Sequence, residues 1–316
     1  MNGLDFEKPI VELERKIQEL KSFTSNKKID LGSEIKNLED KLSKLRKEIY
    51  SSLSAWQRVQ IARHPKRPYT QDYISMLMTD FIELHGDRLF YDDQAIVGGV
   101  AKFNGNKIMI MGHQKGRDTK ENLKRNFGCA HPEGYRKVLR LMEIAQRFNL
   151  PIVTLIDTPG AYPGVDAEER GQAQAIATNL REMIDIAVPI VVIVIGEGGS
   201  GGAIGLGVGD KVCLLENSYY SVISPEGCAS ILWRSSAKAP EASETLKLTA
   251  KDLLNLGIID EIIPEPLGGA HRDPEKAAKN LGETLKRNLD DLIKIPKDRL
   301  LQLRYEKFRK MGIYKE

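Results

Sequence analysis

Apolar residues recur through the first fifty positions at Phe6, Ile10, Leu13, Ile17 and Leu20, then at Ile35, Leu38, Leu42, Leu45 and Ile49. Steps of four and three lay one stripe along a helix, the heptad seam of a coiled-coil-like pair. The polar stretch Thr24–Lys28 interrupts the seam. The pattern therefore predicts an antiparallel helical hairpin, with acids and bases in near balance on its outer faces. The next segment is mixed. Pro65 and Pro68 exclude a helix through His64–Pro68. Tyr73–Leu84 reads as a helix that ends at Gly86.

From Ala95 the period changes. Ala95–Phe103 and Lys107–Met111 flank Asn104-Gly105-Asn106, the signature of a β-hairpin. A helix is expected over Pro132–Phe148. Then come a strand at Pro151–Asp157, a turn at Thr158–Gly164 and a helix over 167–186. The plan repeats with a strand at Pro189–Ile195, the glycine cluster Gly196–Gly202, another helix, and strands at 211–215 and 219–223. Leu150–Ile156 and Val188–Val194 resemble each other, and each runs into a Gly/Pro turn and a helix. That is a repeated β-turn-α unit of an α/β protein. Nearly continuous apolar strands imply burial on both faces. From about Glu275 the chain is helical again, and its basic end, 295–316, reads as a solvated or partner-facing surface.

Composition narrows the options. A chain of 316 residues allows one large domain or two smaller ones. A net charge of +3 gives no strong field for nucleic acid or an anionic membrane. Cys129, Cys213 and Cys228 cannot pair completely and show no metal-ligand spacing, which points to a reducing, cytoplasmic setting and no metal on this chain. No signal peptide is apparent at the start. The run Ile186–Ile195 is about half a membrane span.

The 27 glycines matter by position. Gly196, Gly198 and Gly201 follow a strand in GxGxxG spacing, with Glu216 about twenty residues on, as in a dinucleotide site. The segment Gly202–Gly209 is too rich in Gly for a sturdy helix, which weakens that reading. No Gly-Lys-Ser/Thr follows, so a phosphate P-loop is excluded. The third reading is an oxyanion hole. Backbone N–H groups converge where a strand enters a helix, and the absence of Cβ atoms admits a substrate. The turn Asp157–Gly164 would form the facing wall. Tight strand–helix packing without chemistry is the fourth.

Several blocks together resemble the carboxyltransferase α subunit of bacterial acetyl-CoA carboxylase. They are Asp157–Ala161, Gly196–Gly202, Ser224–Trp233, Arg63–Thr70, Gly112–Arg117, Asn126–Gly128, Pro132–Arg136 and Pro264–Arg272. The resemblance is strongest over about 55–272 and is one of character rather than residues in the N-terminal helices. It implies a crotonase-like α/β fold (the ClpP/crotonase type), a spiral of ββα units with an N-terminal helical hairpin and C-terminal helices. It suggests a helical segment 1–55, a catalytic domain 56–272 and a helical extension 273–316. It implies transfer of a carboxyl group from carboxybiotin, on the biotin carboxyl carrier protein, to acetyl-CoA, giving malonyl-CoA for fatty-acid synthesis. The implied partner is a zinc-bearing β subunit in an α₂β₂ heterotetramer, with biotin carboxylase in the larger complex. No cofactor bound covalently to this chain is implied.

By motif match, the backbone amides of Gly201 and Gly202 line the oxyanion hole on this side. Gly198, Gly199, Gly160 and Ala161 are expected around the substrates. Lys115, Arg117 and Lys120, from a loop with five bases, are expected at CoA phosphates or the carboxylate in transit. Biotin's ureido nitrogen is expected to take the methyl proton, so no Ser/His/Asp set is required. His113 and His85 are expected to serve packing rather than proton transfer. Ser224 reads as a helix N-cap with Pro225 behind it, and Trp233 as core or subunit interface. Two rivals remain. One is a stand-alone crotonase-type hydratase or isomerase, with Glu197 and Glu226 as its carboxylates. The other is a nucleotide-binding or scaffold protein.

Overall fold

The computed structural model describes residues 4–27 and 31–312. Helices α1 (Lys8–Lys27) and α2 (Gly32–Ser51) form the expected hairpin. Residues 28–30, which include the last residue of the predicted polar break, lie outside the described residues. Ile10 and Ile17 are buried, whereas no residue of α2 is. Electrostatics fasten the hairpin to the body. Arg272 reaches Glu14 at 3.2 Å and the buried Glu7 at 3.5 Å.

After α3 (Ala55–Ala62) and α4 (Thr70–Leu77), the chain departs from the predicted pattern. The helix expected over Tyr73–Leu84 stops at Leu77, and Thr79–Glu83 is strand β1. Met78 turns extended, and β1 pairs antiparallel with β2 (Ile96–Phe103), Ile82 opposite Val100. The apolar positions fit either period there, and the sheet edge decides. β2 and β3 (Asn106–His113) form the predicted hairpin. Asn104 and Gly105, with φ of 47° and 81°, supply the two left-handed residues of a type I′ turn.

Next come α5 (Thr119–Lys124), α6 (Pro132–Arg147), β4 (Ile152–Thr158), α7 (Val165–Glu169) and α8 (Gln172–Asp185). The single helix expected over 167–186 is broken at Gly171, whose φ is 82°. Then follow β5 (Ile190–Gly199), α9 (Ser200–Ile204), β6 (Lys211–Leu215), β7 (Tyr219–Ser221, shorter than expected) and α10 (Pro225–Trp233). The chain ends with α11 (Ala239–Thr245), α12 (Ala250–Asn255), β8 (Glu261–Ile263), α13 (Pro274–Leu292) and α14 (Lys297–Arg309).

The strands lie in the order β1-β2-β3-β4-β5-β6-β8, parallel from β3 onward, and β7 pairs with the far end of β5. Every residue of β4 and β5 is buried, as their unbroken apolar runs require. One face of the sheet packs on α6 and α8 through Val138, Leu141 and Met183; the other packs on α4 and α13 through Tyr73, Leu281 and Leu285. The basic C-terminal end is not wholly a solvated surface. Arg304 is buried and donates to the carbonyls of Met183, Ile186 and Val188 at 2.7–2.9 Å. It also pairs with Asp210 at 2.8 Å. The guanidinium thereby satisfies carbonyls at the end of α8 and in the link to β5.

Candidate functional site

β5 does not end at Ile195. It runs four residues into the glycine cluster, because Gly198 pairs with Thr158 of β4 and Glu197–Gly199 pair with β7. Most of the cluster is consequently strand, and the loop that would cradle a dinucleotide pyrophosphate is missing. Glu216, the ribose-binding candidate of that reading, accepts the Glu265 backbone N–H instead.

The absence of side chains serves mainly to bring backbones together. A Cβ on Gly199 would lie 2.2 Å from the Pro159 carbonyl oxygen, and one on Gly198 2.9 Å from that of Tyr219. On Gly202 it would lie 2.5 Å from the Gly160 carbonyl carbon and 2.7 Å from the Ala161 nitrogen. The turn at Gly160–Ala161 thus packs directly against Gly202, with no space for a substrate between them. Gly160 donates its N–H to Thr158 Oγ1. Gly201 differs: its nearest foreign atom would be Ile176 Cδ1 at 3.4 Å. Gly201 and Ser200 line an open cavity of about 430 Å³ whose walls are mostly apolar, from Ile204, Val222, Leu246, Leu253 and Ile258. At the start of α9 the first N–H groups have no intrahelical acceptor.

A charge network ties the elements behind this turn. Lys115 Nζ lies 2.6 Å from Asp157 and 2.8 Å from Glu197. Arg63 reaches Glu197 at 2.7 Å and Glu226 at 2.5 Å. The Tyr219 hydroxyl donates to Glu197 at 2.7 Å, and the Glu197 backbone N–H donates to Asp157 at 2.9 Å. Burial pushes the Glu197 carboxyl up, but the charges of Lys115 and Arg63 and the Tyr219 bond outweigh it, leaving a pKa of about 2. Burial would depress Lys115, yet its two carboxylates hold it well above the usual range.

The candidate residues therefore separate. Gly201, Gly202, Gly160 and Ala161 come together at the turn, and Gly198 and Gly199 are buried in the strand beneath it. Lys115 is occupied by Asp157 and Glu197. Arg117 stacks on Tyr69 at 4.0 Å, donates to the carbonyls of Pro65 and Arg67 and pairs with Asp72. Lys120 is exposed on α5. His113 is fully buried, and burial, with Lys115 nearby, pushes its pKa to about 3. It is a neutral packing residue, as expected. His85 is exposed and bonded to Asp92. Ser224 caps α10 by accepting the Gly227 N–H. Trp233 is not core: with Ile231 and Leu232 it is exposed at 44–72%. Glu197 and Glu226, the carboxylates of the hydratase reading, are both locked in ion pairs. Among the described residues no group of His, Cys, Asp or Glu is placed to hold a metal.

Sequence reasoning missed Arg63 and Tyr219 as partners of Glu197, since the contacts span 134 and 22 residues and no local pattern marks either. It also missed Ser200, whose φ of 49° is left-handed, and Lys247, at 52°. Both line the cavity beside Gly201. Ser200 stands in a local G-x-S-x-G pattern that flags a strained strand-to-helix turn; Lys247 has no comparable signal.

A family model described as "Acetyl co-enzyme A carboxylase carboxyltransferase-like" matches residues 3–312. The acetyl-coenzyme A carboxylase carboxyl transferase subunit alpha of Geobacter metallireducens is 59% identical over 313 residues, covering 99% of this chain and 98% of its own. That of Bacillus cytotoxicus is 59% identical over 312 residues, covering 99% and 96%. Among solved structures, the transcarboxylase 12S core matches with a TM-score of 0.57 and 21% identity, over 73% of this chain and 44% of that one. The β subunit of Pseudomonas aeruginosa geranyl-CoA carboxylase matches with a TM-score of 0.56 and 15% identity, over 78% and 46%. The chain thus spans less than half the length of these structural neighbours. At such identities they establish the fold alone, the crotonase-like α/β architecture.

Proposed function

Because the chain belongs to the acetyl-coenzyme A carboxylase carboxyltransferase family, as an alpha subunit, we propose that its carboxyl-transfer chemistry is centred on the Gly201–Gly202 turn. The activity is transfer of a carboxyl group from carboxybiotin to acetyl-CoA, forming malonyl-CoA. The C–N bond of carboxybiotin breaks, CO₂ leaves, and the electron pair passes to the ureido group, with charge on its oxygen. The ureido nitrogen then takes a proton from the acetyl methyl group, and the resulting enolate carbon forms the new C–C bond to CO₂. Both oxygens that become negative need donors, and a lost donor costs roughly 10²–10³ in rate.

The observation that carries the assignment is the contrast among the glycines. Among the described glycines, Gly201 combines a strand-to-helix turn, open space and a place on the cavity lining; Gly160 is as open but does not line the cavity. The amides of Gly201 and Gly202 are assigned to one oxyanion, and a partner β subunit supplies the other. Gly160 and Ala161 hold the turn from behind, with Gly198 and Gly199 below. Lys120, exposed on α5, is assigned to CoA phosphates, whereas Arg117 is already paired with Asp72. Lys115 acts indirectly, by fixing Asp157 and Glu197. Val222 at the cavity and the run Ile231, Leu232 and Trp233 on α10 leave apolar surface exposed, suited to a covering subunit.

The reading extends to an α₂β₂ assembly with zinc on β. The biotin carboxyl carrier protein brings the donor, and biotin carboxylase charges it with ATP. Segments 1–55, 56–272 and 273–316 serve as helical arm, catalytic body and helical brace. Among the described residues no helix is long and apolar enough to cross a membrane, and a cytoplasmic location belongs to the same proposal.

The test is Gly201→Val in the assembled α/β complex. Malonyl-CoA formation is expected to fall at least 100-fold while the complex still co-purifies, and the chain without β is expected to be inactive. Near-normal turnover by Gly201→Val would remove the assignment.

A further inference from the structure

The cavity beside Gly201 carries an unbalanced pair of polar groups. Its wall is formed by Ile204, Val222, Leu246, Leu253, Leu256 and Ile258, all apolar. Of the polar residues on the rim, Ser221 donates its hydroxyl to the Ile223 carbonyl. Ser200 and Lys247 are both exposed, and their side chains make no hydrogen bond or ion pair among the described residues. They stand on different elements, at the start of α9 and after α11, 47 positions apart in the chain. Each is a non-glycine residue held at positive φ, 49° for Ser200 and 52° for Lys247. Such conformations cost free energy and persist where surrounding structure enforces them.

We propose that Lys247 binds the carboxylate in transit, with the Ser200 hydroxyl as a second donor, while the apolar wall receives the bicyclic ring of N-carboxybiotin. The inference rests on the Gly201–Gly202 assignment and adds the groups that recognise the donor's charge. An ammonium without a counter-ion at the lip of an apolar cavity calls for an anion joined to an apolar body. Carboxybiotin has that chemistry, and acetyl-CoA, whose acetyl end is neutral, does not. The cavity, at about 430 Å³, is within the range of small-molecule sites. Lys247 changes no bond; it holds the carboxylate of the donor in place beside the acceptor carbon until the C–N bond breaks and neutral CO₂ is released.

The experiment uses the assembled α/β complex with carboxylated carrier protein and acetyl-CoA as the probes. Lys247→Gln is expected to raise KM for the carboxylated carrier about tenfold and leave KM for acetyl-CoA within twofold. It should also lower coupling, so that more carboxybiotin is consumed per malonyl-CoA formed. Lys247→Arg should restore both, and Ser200→Ala should show a smaller shift in the same direction. Unchanged carrier KM and coupling in Lys247→Gln would overturn the proposal, as would a fall in kcat alone. If Gly201→Val is inactive while Lys247→Gln behaves as wild type, only the carboxylate-binding role fails. If both behave as wild type, the site assignment itself fails.

Discussion

At the scale of single residues, adjacent glycines carry different constraints. Gly202 sits against the Gly160–Ala161 backbone, where neither partner is a movable side-chain end. Gly202→Ala is therefore expected to destabilise the chain by about 3 kcal/mol, as overpacking against a rigid neighbour does. Gly201→Ala meets only Ile176 Cδ1 at 3.4 Å. It should leave stability unchanged or raise it by up to about 1 kcal/mol, since Ala is the better helix residue. Urea denaturation of both variants checks the contrast, and equal losses would show that the two positions pack alike. Glycine spacing in the sequence could not distinguish these neighbours, because the difference lies in what stands opposite each Cα.

At the scale of elements, the C-terminal helix is a brace. Arg304 of α14 is buried and satisfies carbonyls at the end of α8 and in its link to β5, besides pairing with Asp210 before β6. Removing the guanidinium leaves Asp210 and these carbonyls without it in a dry site. Arg304→Ala is expected to cost about 3–5 kcal/mol. A truncation before α14 would mix this with other losses, so the point variant is the cleaner test. A change under 1 kcal/mol in chemical denaturation would mean that water replaces the guanidinium. The seam in α1 and α2, the Asn104-Gly105 turn and the Ser224 cap were all legible as local patterns. Strand β1 was not, since its apolar residues satisfied a helical period and only pairing with β2 fixed the alternative.

At the scale of the whole molecule, acidification acts on several buried groups in one direction. His113 is held neutral with a folded pKa of about 3, below its unfolded value near 6.5. The unfolded chain therefore binds more protons between these values, and stability is lost as pH falls through that window. For this histidine the slope is about 1.4 kcal/mol per pH unit. Glu197, held at about 2, adds a loss below about pH 4.5. The urea midpoint is expected to fall steadily from pH 6.5 toward 4, and His113→Gln should flatten that fall. A parallel fall in the variant would place the titration elsewhere.

What the sequence determined by itself was local and periodic: the helical hairpin, the buried parallel strands, and the long motif blocks that resemble an acetyl-CoA carboxylase carboxyltransferase. These follow from side-chain alternation, turn residues and short-range hydrogen bonds, all carried by neighbours in the chain. The tertiary structure decided which atoms meet. It extended β5 through Gly199, placed Arg63, Tyr219 and Lys115 around Glu197, and set Lys247 at the same cavity as Ser200. Those choices depend on packing between segments far apart in sequence, and no local pattern encodes the distance between them.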